Sequence, residues 1–171
     1  MVTMELTDIL SVEGWGEFEK DLYDRFGINC CVFRADGTGV TGKPNWCNAL
    51  CPIIKANPES LAMICAPGNQ YFMARAEETR GAVVGECDAG MIKIAVPIFS
   101  DALFLGTAGG CGLLPENGEI DTFMVHKATG MDEEEIAGLC EGLGTMSPAK
   151  AEEMAAFIQA ELDRFLAHCA A

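Results

Sequence analysis

Apolar positions fall at helical spacing at both ends of the chain and gather into two β-rich runs near its middle. Thr7 can cap a short helix through Leu10. Residues 17–26 make a stronger one, with Phe18, Leu22 and Phe26 on one face and Gly27 just past its end. Residues 29–34 read as a strand, Asp36-Gly37 as a tight hairpin turn, and a short return strand ends near Thr41. Asn57-Pro58 has the form of a helix cap followed by the first helical residue. That helix carries Leu61, Ile64 and Cys65 and stops at Pro67-Gly68; a further one runs over residues 70–79 and ends at Gly81.

Residues 85–114 organise the chain. An apolar run over residues 92–99, interrupted by Lys93 and Pro97, meets the turn Ser100-Asp101 and returns through residues 102–105 into a glycine-rich strand ending at Gly112. Two such runs around a polar turn read as a central hairpin. Glycine inside a strand marks a bulge or a place where something approaches the backbone closely. Two readings follow: the bare glycine face carries a pocket, or it lets a helix pack close. Beyond Pro115 the period becomes helical, over residues 119–129, then from the capping residue Asp132 to Gly142 or Gly144, then from Ser147-Pro148 to the end with the stripe Met154, Ile158, Leu162 and Phe165 or Leu166. The elements predict an α+β fold of PAS or GAF kind, an antiparallel central sheet flanked by helices, in a single domain over residues 1–171.

Charge narrows the partners. Against 26 acidic residues stand 11 basic ones, a net charge of −15, with no basic cluster. Neutralising phosphates needs grouped Lys and Arg, so neither nucleic acid nor an anionic membrane surface is expected as a direct partner. The N-terminal residues lack the basic and apolar segments of a signal peptide, and no apolar run is long enough to span a bilayer. A cytoplasmic location is the expectation, and there nine cysteines point to metal or redox chemistry more than to disulfides.

Four cysteines stand at breaks in the pattern: Cys47, Cys51, Cys65 and Cys87. Cys47 and Cys51 lie four apart and would share a helix face, though Pro52 limits that helix. Four converging thiolates suit tetrahedral zinc or an iron–sulfur cluster. The spacing is neither a ferredoxin nor a zinc-ribbon pattern, and buried cysteines also serve as small hydrophobes. Cys111, on the glycine-rich strand, is a further ligand candidate or a pocket-lining thiol. Cys30 and Cys31 point to opposite faces of their strand; Cys140 and Cys169 read as packing or surface thiols. His126 and His168 have no Cys or Asp partner in the pattern and read as surface residues. No P-loop, dinucleotide fingerprint, Gly-x-Ser-x-Gly or HExxH is present.

Three motifs carry a resemblance: Cys87-Asp88-Ala89-Gly90-Met91, Ala95-Val96-Pro97-Ile98 and Leu105-Gly106-Thr107-Ala108-Gly109-Gly110, with Cys47 and Cys65 at the places of two upstream cysteines. Over roughly residues 5–165 the chain resembles the PocR sensory domain. The resemblance implies a PAS-like module that senses small hydrocarbon derivatives such as diols, usually fused to a DNA-binding or kinase output. Two positions depart from that pattern: Asp88 stands where the family commonly has His, and Cys111 where it commonly has Gln.

These readings combine into a stand-alone small-molecule or redox sensor. Its cysteine-bound centre, of Cys47, Cys51, Cys65 and Cys87, is an iron–sulfur cluster in preference to zinc. Beside it lies a small ligand cavity lined by Val96, Ile98, Gly109, Gly110, Cys111 and Asp88. The alternatives are a metal-free binding module with free thiols, and an enzyme that uses the centre. A separate signalling protein would carry the output, and a homodimer through a terminal helix is a further expectation.

Overall fold

The computed structural model describes residues 3–171. Its centre is a four-stranded antiparallel sheet in the order β1-β4-β3-β2. The strands are β1 (Asn29–Arg34), β2 (Val83–Glu86), β3 (Ile92–Ser100) and β4 (Leu103–Cys111). The hairpin of β3 and β4 occupies the middle, in the register Lys93 opposite Cys111, Ala95 opposite Gly109 and Pro97 opposite Thr107, with a bulge between Ile98 and Phe99. Strand β1 pairs along the other side of β4, with Cys31 opposite Gly109 and Phe33 opposite Thr107. This is the antiparallel, helix-flanked α+β sheet that the sequence pattern predicts.

One face is closed by long helices. Helix α2 (Val12–Phe26) is capped by Ser11, whose hydroxyl accepts from the Gly14 amide, and ends at Gly27 in the left-handed conformation. Helix α8 (Pro148–Cys169) is capped by Ser147 and starts on proline, and α1 (Leu6–Ile9) packs on its far end. Trp15, Leu22, Ile28, Ile94, Val96, Ile98, Met154 and Ile158 make the core on this side. Trp15 donates from Nε1 to the Leu6 carbonyl at 2.8 Å and meets Phe18 and Phe165 edge to face.

The other face is built from shorter pieces: α3 (Leu50–Ala56), α4 (Pro58–Ser60) and α5 (Ala66–Thr79). A π-helical turn, Leu61–Cys65, joins α4 to α5 without interruption. Asn57 caps this assembly as expected, but the helix does not stop at Pro67-Gly68. Proline has no N–H to give and crowds the carbonyl one turn back; here it follows a wider turn, in which the Ala66 amide reaches back to the Leu61 carbonyl, so the proline is accommodated. Outside this layer lie α6 (Thr122–Thr129), capped by Asp121, and α7 (Glu133–Cys140), capped by Asp132. They share a second core with α3 and the π turn, formed by Leu50, Ile54, Ile64, Met91, Val125, Ala128 and Ile136. Two short strands, β5 (Leu114–Pro115) and β6 (Thr145–Met146), pair in parallel and bring the chain back to α8. Among the described residues no helix is long and apolar enough to cross a membrane.

Candidate functional site: a thiol-lined cavity on one face of the sheet

Side chains alternate across a sheet, and at its centre the two sets meet different surroundings. Ile94, Val96 and Ile98 of β3 point at α8, whereas Lys93 and Ala95 point the other way, with Cys31 and Phe33 of β1 and Thr107, Gly109 and Cys111 of β4. Opposite this second set stand Cys51, Ile54 and Lys55 from α3, Ile64 and Cys65 from the π turn, Phe72 and Met73 from α5, and Cys87, Ala89 and Met91 from the turn before β3. Between them lies a cavity of about 50 Å³. At roughly 10–15 Å³ per water, that is room for three to five waters, or for a molecule of a few heavy atoms. A wider cleft of about 210 Å³ runs along the outer side of β1, past Trp46 and Lys43, and shares Cys31, Phe33 and Lys55 with the cavity wall.

Gly109 is required by the close approach of β4 to β3: a side-chain carbon there would lie 1.8 Å from the Ile94 carbonyl oxygen of the neighbouring strand, so no other residue fits. Gly110 has a different task. A carbon there would meet the Met154 methyl and the Ile28 Cγ2 at 3.2 Å, on the face toward α8. Both glycines contribute backbone to the cavity wall, and at Gly110 the missing side chain lets a helix pack close.

Cys51, Cys65, Cys87 and Cys111 all line the cavity, and Cys31 joins them. Cys47 does not. It precedes α3, with its Sγ 3.7 Å from the Cys111 carbonyl oxygen and beside Gly112. Asn48 organises this corner: its carboxamide oxygen accepts from the Leu50 and Cys51 amides, and Nδ2 donates to the Gly112 carbonyl at 2.8 Å and toward Cys51 Sγ at 3.2 Å. Val96 and Ile98 are corrected as lining residues. They are 0% and 1% exposed within the α8-facing core, one strand position out of phase with the cavity. Asp88 is exposed on its turn, outside the wall, while its neighbours Cys87 and Ala89 face in. Among the described residues no three His, Cys, Asp or Glu side chains stand close enough together, as placed, to hold a metal ion.

Burial sets the electrostatics. It pushes the thiol of Cys51 up to about 12, with the neighbouring Cys111 adding to the rise and the Asn48 bond opposing it. Cys65 and Cys31 are pushed up to about 11 by the same desolvation, partly offset by the positive charge of Lys55. Burial pulls Lys55 down, but the surrounding thiols outweigh it and its value is raised. At neutral pH Cys31, Cys51 and Cys65 are therefore neutral thiols beside the charged Lys55. Lys93, 9% exposed, stands 5.8 Å from the Phe72 ring centroid, and Lys55 5.5 Å from that of Trp46.

Lys55, Asn48 and Phe72 were not singled out by the sequence; of the Cys30-Cys31 pair, which alternation puts on opposite faces, Cys31 is the one that lines the cavity and Cys30 the one in the core. Lys93 had a signal, as the one charge inside the apolar run.

The cavity is small and mostly apolar, with a few polar groups on its wall, and is set against the middle of the sheet. The family model described as the sensory domain found in PocR matches residues 8–168, and the chain belongs to that family. No curated protein and no solved structure matches it.

Proposed function

We propose that the chain is a ligand-sensing module whose ligand is a small organic molecule held in the cavity between β1, β3 and β4 on one side and α3, the π turn and α5 on the other. The observation that supports this is the cavity itself: it lies against the middle of the sheet, apolar side chains make most of its wall, and its volume is about 50 Å³. Occupancy would be felt by α3 and the π turn, which share a core with α6 and α7, and would pass from there to a separate output protein. The test is thermal stabilisation by a panel of small alcohols, diols, amides and acids, on the native chain and on Cys111→Phe, which fills the cavity from β4. Ala95→Leu fills it independently from β3. At least one class of molecule should raise the melting temperature of the native chain and of Cys169→Ser, but of neither filled variant. Stabilisation that survives both fillings, with circular dichroism unchanged, places the ligand elsewhere.

A second reading is a soft-metal centre, zinc or an iron–sulfur cluster. What favours it is the chemistry of the wall: Cys51, Cys65, Cys87 and Cys111 are thiolate ligands of the kind such centres use. Cys47 would stand outside that set. The thiols would have to draw together and lose protons, so binding would release protons and strengthen as pH rises. Metal content and the absorption spectrum of anaerobically purified protein separate the two readings: about one zinc, or two to four irons with matching sulfide, per chain, lost in Cys87→Ser and kept in Cys169→Ser, would favour the centre.

A further inference from the structure

The cavity wall carries two ammonium groups, Lys55 and Lys93, and no carboxylate. Lys93 is 9% exposed, and a cation that deep in the protein ordinarily has a partner of opposite charge. The ion pairs among the described residues use Lys20, Arg25, Arg75, Lys150 and Arg164, all on the outer surface. Lys93 and Lys55 instead rest near the rings of Phe72 and Trp46, which relieve part of the cost of desolvating a cation but do not neutralise it. Near neutral pH Cys31 and Cys65 are held protonated by burial, so they supply a counter-charge only at alkaline pH. A buried cation without a partner is poorly stable unless something of opposite charge joins it.

We infer that the missing partner is the ligand, and that it is a short-chain organic carboxylate. Its carboxylate pairs with the Lys93 ammonium, Lys55 is a second cation at the wall shared with the outer cleft, and its alkyl part lies against Ile64, Phe72 and Met91. The volume of about 50 Å³ limits it to an acid of a few carbons. This inference rests on the sensory reading and names the ligand class for the same site.

The test uses the full chain with acetate and propionate as probes, and propionamide and propane-1,2-diol as neutral counterparts of similar size. Propionate should raise the melting temperature and give a calorimetric binding isotherm that weakens with added salt. Lys93→Met should weaken binding about tenfold or more, the loss of one charge-assisted contact, and Lys55→Met should weaken it less. Lys127→Met, on an exposed helix, should leave it unchanged. In the native chain propionate should also protect Lys93 from amine acetylation read by peptide mass, which needs no folded variant. Binding of the diol or the amide, abolished by Cys111→Phe but indifferent to Lys93→Met, would overturn the carboxylate and keep the sensory cavity. Propionate binding unaffected by Cys111→Phe would overturn both.

Discussion

Glu19 shows how much one residue can organise away from the cavity. Its carboxylate is 2% exposed; one oxygen accepts from the Val32 amide at 2.9 Å and the other from the Thr41 hydroxyl at 2.7 Å, tying α2 to the outer edge of β1. Burial raises its pKa above the ordinary 4.5, and the bonds from Thr41 and Val32 only partly oppose this. A raised carboxyl pKa means that the folded state holds the proton more tightly. The stability it contributes is fully present below about 4.5 and is lost as pH rises through the folded value. Glu19→Gln keeps the Val32 bond and can turn its amide to Thr41, so urea unfolding should show a flatter loss of stability between about pH 4 and 7 and equal or higher stability at pH 7. Glu19→Ala should cost about 1–3 kcal/mol at every pH, because the Val32 amide is left buried without an acceptor. A Glu19→Gln slope identical to that of the native chain would show that Glu19 does not titrate differently on folding. The sequence pointed to Cys47, Cys51, Cys65 and Cys87 by their position at breaks in the pattern; Cys51, Cys65 and Cys87 do meet at one cavity, with Cys111 of the glycine-rich strand, while Cys47 stands outside it. It had no means of showing that Lys55, on a helix of ordinary composition, turns inward with them.

At the scale of elements, periodicity located the long helices and the central hairpin, and Asn57, Asp132 and Ser147 are caps whose side chains do bond the first turn. It missed the caps Ser11 and Asp121, so α2 starts at Val12 instead of residue 17 and α6 at Thr122 instead of 119, and Thr7 lies inside α1, whose N-cap is Glu5. It failed on β3 because that strand is covered on both faces. Every position from Ile92 to Ile98 is buried, so no alternation remains to say which side chains face the cavity, and Val96 and Ile98 were assigned to the wrong side. The same parity decides Gly110. Gly110→Val is not a cavity-filling change: its methyls would be driven into Met154 and Ile28, already 3.2 Å from where a first carbon would sit. Overpacking of this kind costs about 1–3 kcal/mol. The variant should lower the denaturation midpoint and loosen α8, while any response to a ligand persists at temperatures where it stays folded. Loss of ligand response with unchanged stability would put the Gly110 side toward the ligand after all. The π turn was beyond reach for a similar reason: Pro67 reads as a stop, and only the wider turn before it allows the helix to continue and still present Cys65 to the cavity.

Over the whole molecule the sheet divides two layers of unequal build. One is α2 and α8, of 15 and 22 residues, locked by Trp15, Phe18 and Phe165. The other lays α3, the π turn and α5 on the sheet, and outside them α3, α6 and α7, of only 7, 8 and 8 residues, gather round the second core. Short helices draw little stability from their own hydrogen bonds and depend on packing, and the cavity removes some of that packing beside α3 and the π turn. Local opening is drawn from such regions. Amide hydrogen exchange should therefore rank the molecule: β3, β4 and the middle of α8 exchanging slowest, near the global unfolding limit, and α3, α6 and α7 opening at a clearly lower free energy. Mild denaturant should leave the second group's rates nearly flat while the first group's rise, because partial opening exposes little surface. If α3, α6 and α7 instead exchanged at the same limit as β4, the molecule would open only as one unit, and a ligand in the cavity could not act by ordering one layer.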